Sequence, residues 1–202
     1  INADRDIRCV VLTGAGRAFS AGGDVKAMKT RAGAFAGNGI DLRDGYRNNI
    51  HRIVRSIYGL EVPSIAAVNG AAAGVGCSIA LAGDFVLAAK SAYFLQAFVN
   101  IGLVPDGGST WLLARAIGRA RATRMMMLGE KIGAEQAEDW GLIYKAVESE
   151  ALMDEAMALA TRLSEGPTVS YSTMKAKKSS AFAAMSALTA ILQRALGSVS
   201  QP

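Results

Sequence analysis

The 202-residue chain predicts an α/β fold on three observations. Apolar runs of strand length alternate with stretches of helical periodicity, the pattern of βα units around a covered sheet. Hydrophobic residues make up 51% of the chain and aromatics only 6%, which suits layers packed with Ala, Val, Leu and Gly. The length suits one domain with a sizeable core rather than a string of small ones.

The elements follow in order. "IRCVVLTG" (Ile7 to Gly14) reads as a strand stopped by glycine, and "AGRAFSAGG" as a flexible loop of small residues. Asp24 is placed to cap a short helix over "VKAMK". Lys29 to Gly45, rich in Gly, Ala and charge without periodicity, reads as a mobile loop. In "YRNNIHRIVRSIYGL" the spacing of Ile50, Ile53, Val54 and Ile57 predicts an amphipathic helix. "SIAAVNG" is a second buried strand, "VGCSIALAG" a helix opening among glycines, and "DFVLAA" and "AYFLQ" two further strands. Two helices fit Ser109 to Ile117 and Arg119 to Leu128, and from Ala151 onward the chain reads as helical, broken at Pro167. No internal repeat is detected. The uncharged run from Ile65 to Gly83 approaches bilayer-spanning length, but Asn69 and its glycines make it a strand–turn–helix rather than a membrane span.

A formal net charge of +5 favours anionic partners without choosing among them. Cys9 and Cys77 lie in apolar stretches, without the spacing of a disulfide framework or a metal site, and read as reduced thiols of a cytoplasmic enzyme. The first residues show no signal-peptide pattern, and a start without Met implies that the chain begins partway into its domain.

Two glycine-rich motifs fail as familiar chemistry. "TGAGRAFSAGG" follows a strand as a dinucleotide fingerprint must, but Phe19 replaces its third glycine and no acidic residue ends a second strand about 20 positions later. "GCSIA" has the look of a nucleophile elbow around Ser78, yet the only histidine, His51, lies upstream, so the hydrolase triad cannot be assembled in its usual order. Ser78 then reads as a small helix residue and His51 as a helix-surface residue. Both loops nevertheless carry backbone N–H groups, unobstructed by side chains, to a strand end, where two of them could converge on one oxygen.

"GRAFSAGGD", "PSIAAVNGAAAGVGCSIALAGDFVLAA", "FVNIGLVPDGGSTWLLARAIG" and "GEKIGAEQAEDWGLI" together resemble the enoyl-CoA hydratase/isomerase, or crotonase, superfamily, in register from about Cys9 to Met174. The resemblance implies a spiral of strand–strand–helix turns over residues 1–150 and a helical trimerisation region over residues 151–202. It implies homotrimers or dimers of trimers, an acyl-CoA thioester as substrate, and no cofactor beyond the coenzyme A of that substrate. Neither nucleic acid nor membrane is an expected partner. It also implies native sequence beyond both ends of this chain.

By position, the family's oxyanion donors fall on the backbone N–H groups of Ala21 and Val75, the latter standing where glycine is common and flanked by Gly74 and Gly76. Phe19, Gly22, Gly23, Asp24, Gly74 and Gly76 fall around the substrate, although Asp24 also reads simply as a helix cap. The two hydratase glutamates correspond to Ser78 and Phe98, neither of which titrates near neutral pH. Asp106 coincides with the catalytic aspartate of isomerases of the ring-1,2-epoxyphenylacetyl-CoA type, in phenylacetate breakdown, and with one of two acids in the dienoyl-CoA isomerases.

Asp before Gly-Gly is also a turn and N-cap signal for the helix near Ser109. As an acid among Leu103, Val104, Pro105 and Gly107, it is expected to be pushed up by desolvation, a useful direction for a proton shuttle. Arg115, Arg119, Arg121, Arg124, Lys175, Lys177 and Lys178 could meet CoA phosphates or simply face solvent. The sequence therefore reads as an acyl-CoA isomerase with one acid/base. A hydratase is the nearest alternative, and a non-catalytic CoA- or RNA-binding homologue comes from another class. Basic and aromatic residues are not interleaved as in RNA-stacking surfaces.

Overall fold

The computed structural model describes residues 1–38, 41 and 44–176. Two four-stranded sheets form the framework, with strand orders β1-β3-β5-β8 and β2-β4-β6-β7. The strands are β1 Val10–Thr13, β2 Ala18–Ser20, β3 Ser64–Val68, β4 Ala71–Ala73, β5 Phe85–Ala89, β6 Tyr93–Leu95, β7 Lys131–Gly133 and β8 Lys145–Val147. The helices are α1 Val25–Lys29, α2 His51–Tyr58, α3 Val75–Leu81, α4 Ser109–Leu128, α5 Ala134–Asp139 and α6 Leu152–Ser164.

Consecutive strands alternate between the sheets. β1, β3 and β5 pair in parallel in one, and β2, β4 and β6 pair in parallel in the other. β1-β2-α1, β3-β4-α3 and β5-β6-α4 are therefore successive turns of one strand–strand–helix unit. This repeat escapes sequence inspection because it conserves topology, not residues. β8 extends the first sheet in parallel and β7 closes the second antiparallel to β6.

"SIAAV" is buried at all five positions because β3 lies between β1 and β5 in a sheet covered on both faces, where alternation is lost. Phe94, Ile65, Leu87, Leu113, Met125 and Ile132 are among the largest fully buried side chains, each worth about 1.5–3 kcal/mol in removal from water. The run from Ile65 to Gly83 becomes β3, β4 and α3, and no helix among the described residues is long and apolar enough to cross a membrane.

Several expectations need correction. "AFS" within the expected loop is strand β2, paired with β4, and "AAA" (Ala71–Ala73) is a strand that its sequence does not announce. The amphipathic helix is preceded by a π-helical turn, Tyr46–Ile50, and buries His51, Val54 and Tyr58, while Ile53 is 50% exposed. His51 is thus interior, not a surface residue. Within the expected loop Lys29 to Gly45, Gly33–Phe35 is a short 3-10 turn. α4 fits the expected pair of helices, because Gly118, at φ 73° and ψ 166°, breaks it where the two were divided. Helix α6 ends before Pro167, and residues 168–176 are helical again. The rest of the expected helical C-terminal region, with Lys177 and Lys178, lies outside the described residues.

Candidate functional site

The two glycine-rich loops leave adjacent parallel strands at the same end. Ser20 of β2 pairs with Ala72 of β4, so Ala21 and Gly74 follow the ends of neighbouring strands. Contacts hold the loops together: a Cβ at Gly22 would lie 2.6 Å from the Ala73 carbonyl oxygen, and one at Gly76 would lie 2.5 Å from the Ser20 carbonyl oxygen. Gly76 must therefore be glycine for the second loop to pass the first. The Gly22 N–H donates to Ser20 Oγ at 3.3 Å, and the Gly74 N–H to the Leu95 carbonyl at 2.8 Å. Val75 opens α3, so its N–H has no carbonyl one turn earlier to bond and stands at the positive end of the helix. Ala21, exposed at the end of β2, and half-buried Val75 thus present main-chain groups from abutting loops.

Asp106 is 2% exposed, in the turn entering α4. Its main chain is fixed to α3. The Asp106 carbonyl accepts from the Ser109 N–H at 3.0 Å, from Ser78 Oγ at 3.1 Å, and also from Ser109 Oγ; the two serine hydroxyls lie 3.0 Å apart. Gly107, at φ 59°, permits that approach: a Cβ there would meet Ser78 Cβ at 3.0 Å and Val75 Cγ2 at 3.3 Å. Ser78, fully buried, thus ties the acid's turn to the helix that begins with Val75. The N-cap of α4 is Gly108 without a side-chain cap, so Asp106 does not play the capping role its sequence context permits.

Asp24 caps α1 as expected, accepting from the Ala27 N–H at 2.9 Å. Phe98 is buried, with its ring 3.7 Å from where a Gly74 Cβ would stand, and so walls the second loop with hydrocarbon where a hydratase glutamate is expected. Phe19 is half-buried in β2 and packs on the core, and Met28 Cε and Phe35 Cζ lie 2.4 and 3.8 Å from a Cβ position at Gly23.

Sequence reasoning missed Tyr46 and placed His51 on the helix surface, whereas it is buried. Rings of Phe35, Tyr46 and His51 form an edge-on chain, with centroids 5.9 Å and 6.3 Å apart. Burial, with the Asp106 charge adding to it, pushes the Tyr46 phenol up to about 12. Burial, with Arg55 adding to it, lowers His51. No short-range signal links residues 46 and 106; only the π turn and the fold bring Tyr46 into the field of that acid.

The arginines of α4 lie against rings and an acid or face outward. Arg115 stacks on Trp111 with its guanidinium carbon 4.8 Å from the ring centre, and Arg121 and Arg124 cover Trp140 at 5.2 and 5.7 Å. Arg124 also pairs with Glu130 at 2.8 Å, and Arg119 is exposed. Lys175 is buried, in ion pair with Asp84 and donating to the Val62 carbonyl at 2.8 Å, so it faces neither a CoA phosphate nor solvent. Cys9 and Cys77 are free thiols; burial pushes Cys77 up to about 12. Among the described residues no three His, Cys, Asp or Glu side chains converge as metal ligands.

A family model described as enoyl-CoA hydratase/isomerase matches residues 1–198. The chain is 44% identical over 175 residues to 1,2-epoxyphenylacetyl-CoA isomerase of Escherichia coli (strain K12), covering 87% of this chain and 66% of that protein. It is 43% identical over 196 residues to a probable enoyl-CoA hydratase of Rhodobacter capsulatus, covering 95% of this chain and 74% of that one. A crystal structure of an enoyl-CoA hydratase from Mycobacterium avium subsp. paratuberculosis K-10 superposes with a TM-score of 0.82 at 36% identity, covering 100% of this chain and 78% of that chain. The chain thus spans about two thirds to three quarters of the length of these curated relatives.

Proposed function

Since the chain belongs to the enoyl-CoA hydratase/isomerase family, we propose that it is an acyl-CoA isomerase that uses Asp106 as its single acid/base. The thioester oxygen accepts from the N–H groups of Ala21 and Val75. The Asp106 carboxylate takes a proton from the carbon next to the thioester, and the electron pair moves onto the held oxygen as an enolate. The resulting carboxylic acid returns the proton two carbons further on, so the double bond shifts and no water is added. Each preorganised donor is worth on the order of 3 kcal/mol at the enolate. The same enolate chemistry accommodates rearrangement of an epoxidised ring acyl-CoA, the substrate type in the name of the E. coli relative.

One observation carries the reading. The turn bearing Asp106 is bonded to the first turns of α3, beside Val75; the positions that the family resemblance assigns to the hydratase glutamates hold Ser78 and Phe98, both buried and neither a carboxylate. Water addition asks one group to activate water and another to protonate carbon, whereas double-bond migration needs one group acting twice. The reading extends to a cytoplasmic homotrimer or dimer of trimers with no cofactor beyond the coenzyme A of its substrate.

Asp106→Asn tests it. Isomerisation of a 3-enoyl-CoA is expected to fall by about 10²–10⁴-fold while the variant still binds the thioester, and unchanged turnover would exclude the role. Hydration of crotonyl-CoA by the parent protein would instead favour the hydratase. Salt-sensitive RNA affinity without turnover on any acyl-CoA would favour a binding module.

A further inference from the structure

One polar group near the donor loop has no task in the scheme above. Tyr46 opens the π-helical turn ahead of α2, its ring set between the edges of Phe35 and His51. Phe35 reaches to within 3.8 Å of a Cβ position at Gly23, so this aromatic wall begins at the loop that carries Ala21. His51 is 5% exposed, its Nε2 makes no hydrogen bond among the described residues, and it packs as an apolar brace behind Tyr46. The Tyr46 hydroxyl also makes no hydrogen bond among the described residues, while the Asp106 charge acts on it. At neutral pH it is a protonated donor, because its value lies near 12.

Such a group discriminates between ligands. A phenol O–H that solvent can reach bonds to water, and an acyl group that displaces water without offering an acceptor leaves such a donor unpaired. We infer that the Tyr46 hydroxyl selects acyl groups that carry an oxygen atom, donating a hydrogen bond to that oxygen on the side of the pocket that faces Asp106. The inference deepens the isomerase reading and rests on its premise that the site takes an acyl thioester. Between the two reactions compatible with that reading, it favours the oxygenated ring over the plain 3-enoyl chain.

The test is an equilibrium titration, which needs no turnover. Phenylacetyl-CoA and its three ring-hydroxylated isomers are each titrated into the parent protein and into Tyr46→Phe. At least one hydroxylated isomer is expected to bind the parent about 5–10-fold more tightly than phenylacetyl-CoA, the yield of one added hydrogen bond. Tyr46→Phe is expected to erase that advantage from both sides, weakening the hydroxylated isomer and tightening phenylacetyl-CoA, whose binding no longer strands a donor. The inference is overturned if no hydroxylated isomer gains over phenylacetyl-CoA in the parent, or if the gain survives in Tyr46→Phe. Either result leaves the isomerase reading to stand or fall on Asp106→Asn. Failure of every thioester to bind would overturn both.

Discussion

Asp84 and Asp106 are both largely buried, and the chain uses them in opposite ways. Asp84, between α3 and β5, engages through its carboxylate: Oδ2 accepts from the Ser64 N–H at 2.9 Å and Ser64 Oγ at 2.8 Å and forms the ion pair with Lys175. At Asp106 the bonds that fix the residue fall on its main-chain oxygen, from the Ser109 N–H, Ser109 Oγ and Ser78 Oγ. One acid is neutralised by a cation 91 residues away and fastens the C-terminal helical run to the sheet. The other has its turn held by bonds to its main-chain oxygen, a placement that an amide at the side chain leaves available. A buried charge is evidence of catalysis only after its partners are known.

The contrast is sharpest under paired substitution. Asp106→Asn should lower turnover by about 10²–10⁴-fold, the usual contribution of a general acid/base, with the melting temperature nearly unchanged. Asp84→Ala should do the reverse, costing about 3–5 kcal/mol in denaturant titrations because it leaves the 8%-exposed Lys175 charged and unpaired, while the folded fraction keeps its activity. If Asp84→Ala silenced a fully folded protein, the division between the two acids would be wrong. Smaller in effect is Ser78→Ala, which removes the hydroxyl that bonds to Ser109 Oγ and the Asp106 carbonyl. It should cost about 1–3 kcal/mol as a buried polar network loses a member, and lower kcat more than it raises KM because the acid's turn loosens. A KM effect alone would show that the serines do not position Asp106.

Much of this arrangement was legible in the residues. Asp24 as cap of "VKAMK" and Gly118 as the break in α4 are local signals, and they are realised where the sequence put them. β2 and β4 were not legible, because three-residue segments carry no periodicity and become strands only when parallel neighbours supply their hydrogen bonds. Those two strands deliver the donor loops, so the least visible part of the fold bears most directly on the site. The other misreading lies in α2. Its inward face holds His51, Val54 and Tyr58, spaced three and four apart like the expected stripe through Ile53, Val54 and Ile57, so periodicity alone does not choose between the two faces. Lys175 resembles any solvated lysine until its partner, far away in sequence, is placed beside it.

The same misread histidine offers the mildest test. His51 is held below the ordinary histidine value of 6.5, first by burial and then by Arg55, so the folded state prefers the neutral ring. A base whose folded value is depressed binds protons more readily when unfolded, so stability rises with pH across the interval between the two values. The stabilisation is complete above 6.5 and is lost as pH falls through the lower folded-state value. Thermal melts of the parent between pH 8 and pH 5 should therefore fall more steeply than those of His51→Phe, which keeps an aromatic edge against Tyr46 but cannot take a proton. The gap between the two curves should open only on the acid side, and parallel curves would mean that protonated His51 is tolerated in the wall. Because the brace and Tyr46 share one contact, His51→Phe should leave the Tyr46 contribution to ligand affinity in place at pH 8, which separates the shape of the ring from its charge.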